Sequence, residues 1–436
     1  MRRLIVSLVA VSAAITPAYG DTLGEAMASA QETNPTLAAQ RQRLRATREA
    51  LPQALAEALP QVSVSASANA NDRDFEDPAI PDAGRTETWS AQANVSQLLF
   101  GSGRVLASTR AARAQIAGAV ADYEGARQTL LLDVTRAYAD VRQAQAVVAA
   151  RETTVSNLQR LLEYARAQFE AGVVTRTDTA QAEARYAQAR TQLVQAQGAM
   201  AASVEAYRRL VGRPPADLQA PPVATGLPSS LDTALETAVD NSPALIGAQA
   251  DTRLADANVA SADAQGRANV TLDAGYSLGA DFDDELSESS NDSVGVRLSV
   301  PLFRGGALRS RSRQQRALRS ASNLDLAATE RAVRENVTNA WTGLASARAA
   351  VNSAREQVEA AELAYEGVRL EQETGLRSTV EVLDQEADLL TARIALAQAE
   401  RDLVVAERQL LAAVGTLDIP QGSGGVIDGD DQLRGR

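Results

Sequence analysis

The sequence predicts a mainly α-helical chain that carries transmembrane β-structure, organised as a duplicated unit of helix, β-hairpin and long helix. Three observations lead there. The chain repeats itself, its helical stretches keep a seven-residue period over unusual lengths, and four short segments switch to a two-residue period.

Residues 1–20 read as a secretory signal. Arg2 and Arg3 form its basic start, Leu4 to Ile15 its short apolar stretch, and Ala18-Tyr19-Gly20 offers small residues for cleavage before Asp21. An uncleaved inner-membrane anchor is the competing reading, but the stretch is short for a membrane helix. Loss of Arg2 and Arg3 takes the formal charge from −12 to −14, which argues against nucleic acid as a partner. The chain has no cysteine and no histidine, and all 43 of its cationic side chains are arginine. Disulfides, a lipid-bearing cysteine after the signal and zinc sites on His or Cys are therefore excluded. Ser-His-Asp, Cys-His and lysine-dependent chemistries are excluded with them. Only carboxylate catalysis stays formally open, and no cofactor is expected. After residue 20 no segment has the long uncharged apolar run of a membrane helix, so membrane entry would require strands.

The duplication bounds the architecture. Thr22-Leu23 matches Ser230-Leu231, Asn34-Pro35 matches Ser242-Pro243, and Val62 matches Val270, all 208 positions apart. Further on, Leu99-Phe100-Gly101-Ser102-Gly103 matches Leu302-Phe303-Arg304-Gly305-Gly306 at an offset of 203, which persists through Val134/Val337, Gly172/Gly375 and Glu183/Glu386. The difference falls in the expected hairpin tips, where insertions are tolerated. The first repeat is expected over 21–211, with a β-hairpin at about 62–100, a long helix over 104–170 and a helix over 176–210. A proline-rich linker covers 212–229. The second repeat covers 230–415, with a hairpin at about 269–303, a long helix over 305–373 and a helix over 378–414. A disordered tail is expected over 416–436.

Within the long helices, Val134, Val141, Val148, Val155, Leu162 and Phe169 recur every seven residues, as do Val337, Leu344, Val351, Val358 and Tyr365. Leu383, Leu390, Ala397, Val404 and Leu411 repeat the pattern in the last helix. Such heptads mark coiled-coil packing, and the proline-free run from Arg104 to Glu170 would be about 100 Å long. The seam is thin and backed by Arg, Glu, Gln and Ala. A solid coiled coil and a hollow wall of helices fit it equally.

The period-two segments are Val62 to Asn69, Trp89 to Ser96, Val270 to Gly279 and Ser293 to Val300, each with one apolar and one polar face. Each has about the length that crosses a bilayer as a tilted strand. The connections are acidic, with Asp72, Asp74, Glu76 and Asp77 in one and Asp281, Asp283, Asp284, Glu285 and Glu288 in the other, and read as extracellular tips. Phe75, Phe282, Phe100 and Phe303 sit near strand ends, where interfacial aromatics belong. Singly, each segment also fits a half-buried soluble strand. Paired in each repeat behind a secretory signal, the four favour the membrane. Four strands do not close a barrel, and open edges are not allowed in lipid, so the membrane reading requires oligomerisation. Three chains would supply twelve strands, and counting alone leaves two or four open.

Taken together, these features resemble the TolC-type outer-membrane efflux and secretion channel family, over about residues 21–415. The resemblance rests on the duplicated order, on Val300-Pro301-Leu302-Phe303-Arg304-Gly305-Gly306, and on the helix-turn-helix segments Gly172 to Asp178 and Gly375 to Asp384. Gly101 and Gly103, like Gly305 and Gly306, read as strand-to-helix turns, since no lysine follows to make a phosphate loop.

The resemblance implies a homotrimer in the cell outer membrane, with a twelve-stranded β-barrel continuous with a periplasmic α-helical barrel. It implies a passive export duct rather than an enzyme. Its partners would be a periplasmic adaptor, an inner-membrane ABC or proton-driven transporter, and outer-membrane lipid. It also places Glu381 and Asp384 in an acidic ring at the aperture, with Glu in place of the usual Asp at the first position. Arg377, Thr177 and Asp178 match a gating network, in which Arg377 would bridge to Asp178. Gly172 and Gly375 mark the hairpin tips that dock the adaptor. Gln372 stands where the family usually has tyrosine. The cargo would be polypeptides by type I secretion, small molecules by efflux, or both; the missing lipid-attachment cysteine leans toward secretion. A soluble periplasmic coiled-coil adaptor is the alternative reading, and a carboxylate-dependent hydrolase a more distant one.

Overall fold

A computed structural model describes residues 21–73, 84–282 and 284–420. The expected signal segment, the tip residues Asp74, Phe75, Glu76 and Asp77, and Asp283 lie outside them. Nine helices and four strands run along the described chain in two matched halves. The first holds α1 (Leu23–Thr33), α2 (Pro35–Arg48), α3 (Ala50–Ala56), β1 (Gln61–Arg73), β2 (Gly84–Phe100), α4 (Arg104–Glu170) and α5 (Arg176–Val211). The second holds α6 (Leu231–Asn241), α7 (Pro243–Ala264), β3 (Asn269–Asp281), β4 (Asp284–Ser299), α8 (Ala307–Glu373) and α9 (Thr379–Ala413).

The helices start where local chemistry starts them. Thr22 and Glu25 make a capping box on α1, and the Asn34 side chain caps α2, which has Pro35 in its first turn. The two long helices have 67 residues each, about 100 Å apiece. Both leave the sheet through glycine turns: Gly103, Gly305 and Gly306 have positive φ, which side-chain-bearing residues rarely adopt. Gly101 serves differently, because a Cβ there would meet the Leu98 side chain at 2.8 Å.

α4 pairs with α5 and α8 with α9, and α4 also packs against α7 and α9. Val134, Val141 and Leu162 are buried in the seam, as are Val337, Leu344 and Val351. Phe169, in the last turn of α4, departs from the expected seam and is exposed, one turn beyond the buried Ala165. On α9 the expected positions Leu383 and Leu411 are buried, Leu390, Ala397 and Val404 are half-buried, and Leu389, Ala392, Ala399 and Leu410 are buried beside them. That helix packs against both α4 and α8, so its buried face is wider than a single heptad stripe. Among the described residues no helix is long and apolar enough to cross a membrane.

The four strands form one antiparallel sheet in the order β1-β2-β3-β4. The two hairpins therefore join, β2 pairing with β3 across the repeats. Register places the apolar residues on one face: Val62, Val95, Ala274 and Val294 make one row, Ala66, Ala91 and Leu278 another. The opposite face carries rows such as Ser63, Asn94, Gly275 and Ser293. Hydrogen bonds tie this polar face together, Ser67 to Ser90 at 2.9 Å and Ser96 to Asp273 at 2.7 Å. The apolar face is bare, with Val64 77% and Val294 79% exposed. The strands run longer than expected. Asp72 lies in β1, and Asp281, Asp284, Glu285 and Glu288 lie in strands rather than in a loop. Backbone pairing continues through these acidic stretches because the ladder bonds main-chain groups whatever the side chains. β1 and β4 each keep one edge unpaired among the described residues.

A compact core sits where the short helices wrap α4. Leu23, Met27, Leu131, Tyr138 and Tyr207 are buried there. Asp21 is buried too: its carboxylate meets Arg213, the Tyr207 hydroxyl at 3.2 Å and the Ala216 amide at 3.4 Å. The expected linker is ordered and clamped. Arg408 donates to the Pro222 carbonyl and pairs with Glu407 at 2.7 Å, and Glu407 accepts from the Ala224 amide at 3.1 Å. The expected disordered tail is corrected at its start: Leu417 is buried in the core and Asp418 pairs with Arg127 at 3.0 Å.

Removing one partner of the buried Glu407–Arg408 pair should cost about 3 kcal/mol, since it strands a desolvated charge. Glu407→Ala should therefore lower the thermal unfolding midpoint more than the double substitution Glu407→Leu with Arg408→Met. The reverse ranking would show that the pair does not hold the connection.

Candidate functional site

The candidate site is the end of the two helical hairpins farthest from the sheet. Both turns use the same device. After α4, Gly172 has φ 76°, and after α8, Gly375 has φ 80°. A Cβ at either would meet nothing within 4 Å, so backbone conformation is the reason for glycine. Capping boxes then start the return helices. The Thr175 amide donates to the Asp178 carboxylate at 2.9 Å, and the Asp178 amide donates back to the Thr175 hydroxyl at 3.4 Å. Ser378 and Glu381 repeat this at 2.9 and 3.4 Å. Val173 and Leu376 stand exposed beside the two glycines.

The capping geometry changes the reading of the expected site residues. Arg377 does not reach Asp178. Its guanidinium bonds Glu371 at 2.8 Å and Glu381 at 2.7 Å, both in its own hairpin tip. Within one protomer the bridge across repeats is not made: Asp178 caps its own helix end and Arg377 has two nearer carboxylates. Thr177 is exposed on the first turn of α5. Asp384, one turn beyond Glu381, pairs with Arg185 of α5 at 3.4 Å; both side chains are about half exposed, so the bond is weak. The Ser378 backbone amide, then Arg377 and the Ser378 hydroxyl, pull the Glu381 carboxyl down to about 2.

Apart from Gln372, the other residues of the site carry no motif in the sequence. Asn157 and Arg160 from α4, Tyr365 and Gln372 from α8, and Val382 and Glu386 from α9 line a cleft of about 570 Å³. Glu386 is buried, accepts from the Asn157 amide group at 3.0 Å, and bonds the Tyr365 hydroxyl. Burial first, and the neighbouring Glu386 carboxylate second, push that hydroxyl up to about 12. Gln372 is buried and donates to the Thr379 hydroxyl at 3.4 Å, closing the turn within one hairpin. The one available hint was a tyrosine on the heptad seam, where a hydroxyl must find a partner. Glu386 itself looked like its repeat counterpart Glu183, which is exposed and pairs with Arg166.

The depressed Glu381 value gives a pH signature. A carboxyl whose folded pKa lies below its free value of 4.5 contributes stability above that value and loses it as pH falls toward about 2. Amide exchange at the second tip should be faster in Glu381→Ala than in wild type above pH 4.5. The gap should close as pH approaches 2; a gap that stays constant over that range would show that Glu381 does not cap α9.

The model of the family described as outer membrane efflux protein matches residues 26–213 and 234–416. Outer membrane efflux protein BepC of Brucella suis is 29% identical over 405 residues, covering 93% of this chain and 87% of that protein. Outer membrane protein TolC of Vibrio cholerae is 27% identical, with 92% of each chain covered. Among solved structures, the outer membrane protein VceC of Vibrio cholerae shares the fold at a TM-score of 0.76 and 21% identity, over 90% of this chain and 96% of that one. These relatives give no support to a soluble adaptor. The chain belongs to the outer membrane efflux protein family and is an outer-membrane channel protein for export.

Proposed function

We propose that three copies close edge to edge, β4 of one against β1 of the next, into a twelve-stranded barrel that opens into a periplasmic tube of helices. The observation that carries this is the single four-stranded sheet with one bare apolar face and two unpaired edges. In lipid each unpaired backbone group costs several kcal/mol, and closure removes every edge. The polar face then lines the conduit. Cargo leaves through it passively, delivered by an inner-membrane ABC or proton-driven transporter with a periplasmic adaptor. The adaptor docks on the tips at Gly172 and Gly375, where the exposed Val173 and Leu376 offer apolar contacts. The cargo is polypeptide by type I secretion, small molecules by efflux, or both.

At the far end, Glu381 and Asp384 ring the aperture. They lie three apart on the first turns of α9, on one side of the helix. Threefold repetition multiplies their charge in a narrow lumen, which attracts cations. Arg377 tempers that charge through its bond to Glu381. Its release would both free a carboxylate and loosen the tip, which is the gating role assigned to it here, shared with Thr177 and Asp178 of the facing tip.

The mature protein in detergent should run at three protomer masses in light scattering and resist heat in gels. A water-soluble monomer would overturn the closure. In planar bilayers, Glu381→Ala with Asp384→Ala should weaken cation selectivity and divalent-cation block, and unchanged values would remove both from the aperture. Arg377→Ser should raise single-channel conductance if the residue restrains the tip, and unaltered conductance would take it out of gating.

A further inference from the structure

At the opposite end of the helices the charge pattern reverses. The chain as a whole is acidic, yet from Arg304 to Leu324 it carries Arg304, Arg309, Arg311, Arg313, Arg316 and Arg319 and no acid at all. Arg316 and Arg319 are occupied by α7, pairing with Asp263 and Asp256 at 3.5 and 3.8 Å. The other four are exposed and make no ion pair or side-chain hydrogen bond among the described residues. The matched start of α4 shows the same bias, with Arg110 and Arg113 exposed and no acid between Gly101 and Ala121.

Position gives this charge a partner. Immediately before Arg304 stand Leu302, 93% exposed, and Phe303, 86% exposed, at the base of the bare apolar sheet face. Arg309 to Arg313 lie within about 10 Å of the start of α8 along its axis, about one Debye length, and so within electrostatic reach of a leaflet at the base of the sheet. Side chains of a helix tilt toward its N-terminus, which here is the sheet end, so these arginines lean toward the bilayer. Guanidinium groups bind phosphate bidentately, and long basic side chains reach headgroups while their stems stay apolar.

We propose that Arg304, Arg309, Arg311 and Arg313 form a collar that binds the phosphates of anionic glycerophospholipids in the periplasmic leaflet of the outer membrane, setting the depth and tilt of the barrel. The collar rests on the sheet standing in the membrane as described above. Each arginine near an anionic leaflet contributes about fivefold in binding.

The test is lipid selectivity of the full mature protein reconstituted in bilayers of phosphatidylethanolamine, with or without one quarter phosphatidylglycerol, read by spin-labelled lipids at the protein surface. Wild type should prefer phosphatidylglycerol several-fold at low salt and lose the preference in 1 M salt. Arg304→Gln with Arg309→Gln and Arg313→Gln should bring the preference down to about one, while Arg348→Gln, about 50 Å further down α8, should leave it intact. Equal selectivity in wild type and the triple variant would overturn the collar alone. So would a triple variant that changes only oligomer stability, the mark of arginines paired with a neighbouring subunit instead. Failure to enter either bilayer would overturn the membrane placement and the collar with it.

Discussion

The need to satisfy every backbone hydrogen bond in lipid governs the rest of this molecule. Four strands meet that need along three interfaces, β1 with β2, β2 with β3 and β3 with β4, and leave it unmet along two edges. The register is as important as the pairing. Rows such as Val62, Val95, Ala274 and Val294 are apolar and rows such as Ser63, Asn94, Gly275 and Ser293 are polar or small, so a slip of one residue would turn serine and asparagine onto the apolar face. The pairing of β2 with β3 links the repeats and fixes the spacing of the two long helices that hang from them.

The helical part solves a different problem with different means. A thin alanine seam lets the far halves of α4 and α8 run side by side with α5 and α9 for about 50 Å without a thick core. Polar clamps tie the elements together at two levels. In the core beside the middle of α4, Asp21, Tyr207 and Arg213 fasten the start of α1 to the end of α5, and Glu407 with Arg408 fastens the connecting segment to α9. At the far end Glu386 joins α9 to α4 through Asn157 and to α8 through Tyr365. That contact lies at a different level from Gln372, whose buried amide serves only its own hairpin. The charged features divide along the same axis, with carboxylates at the tips and unpaired arginines beneath the sheet.

The duplicated halves are alike in plan and unlike in detail. Thr175 with Asp178 and Ser378 with Glu381 form equivalent capping boxes, yet only the second is joined by an arginine, Arg377, that also binds Glu371. Glu183 is a surface ion pair where Glu386 is buried. Such differences make the second tip the more tightly braced of the two within one protomer.

Periodicity and duplication were legible in the residues themselves. The alternation from Val62 and from Val270 marked strands, the seven-residue spacing marked the long helices, and the glycine turns at Gly103 and Gly306 marked the joints, because each is a local pattern imposed by backbone geometry. Partnerships between distant segments were not legible. The pairing of Arg377 with Glu381, four residues on, follows from local spacing, but nothing near Glu386 indicates that Asn157, 229 positions away, awaits it. The continuity of the acidic stretch Asp284 to Glu288 with β4, and the order of residues 416–420, were likewise hidden by polar composition. The sequence by itself determined which segments are helix or strand and which face of each is apolar, since those follow from neighbours along the chain. Only the tertiary structure decided which charges far apart along the chain meet, as Asp21 meets Arg213 and Arg127 meets Asp418, because that depends on how far apart folding leaves their side chains.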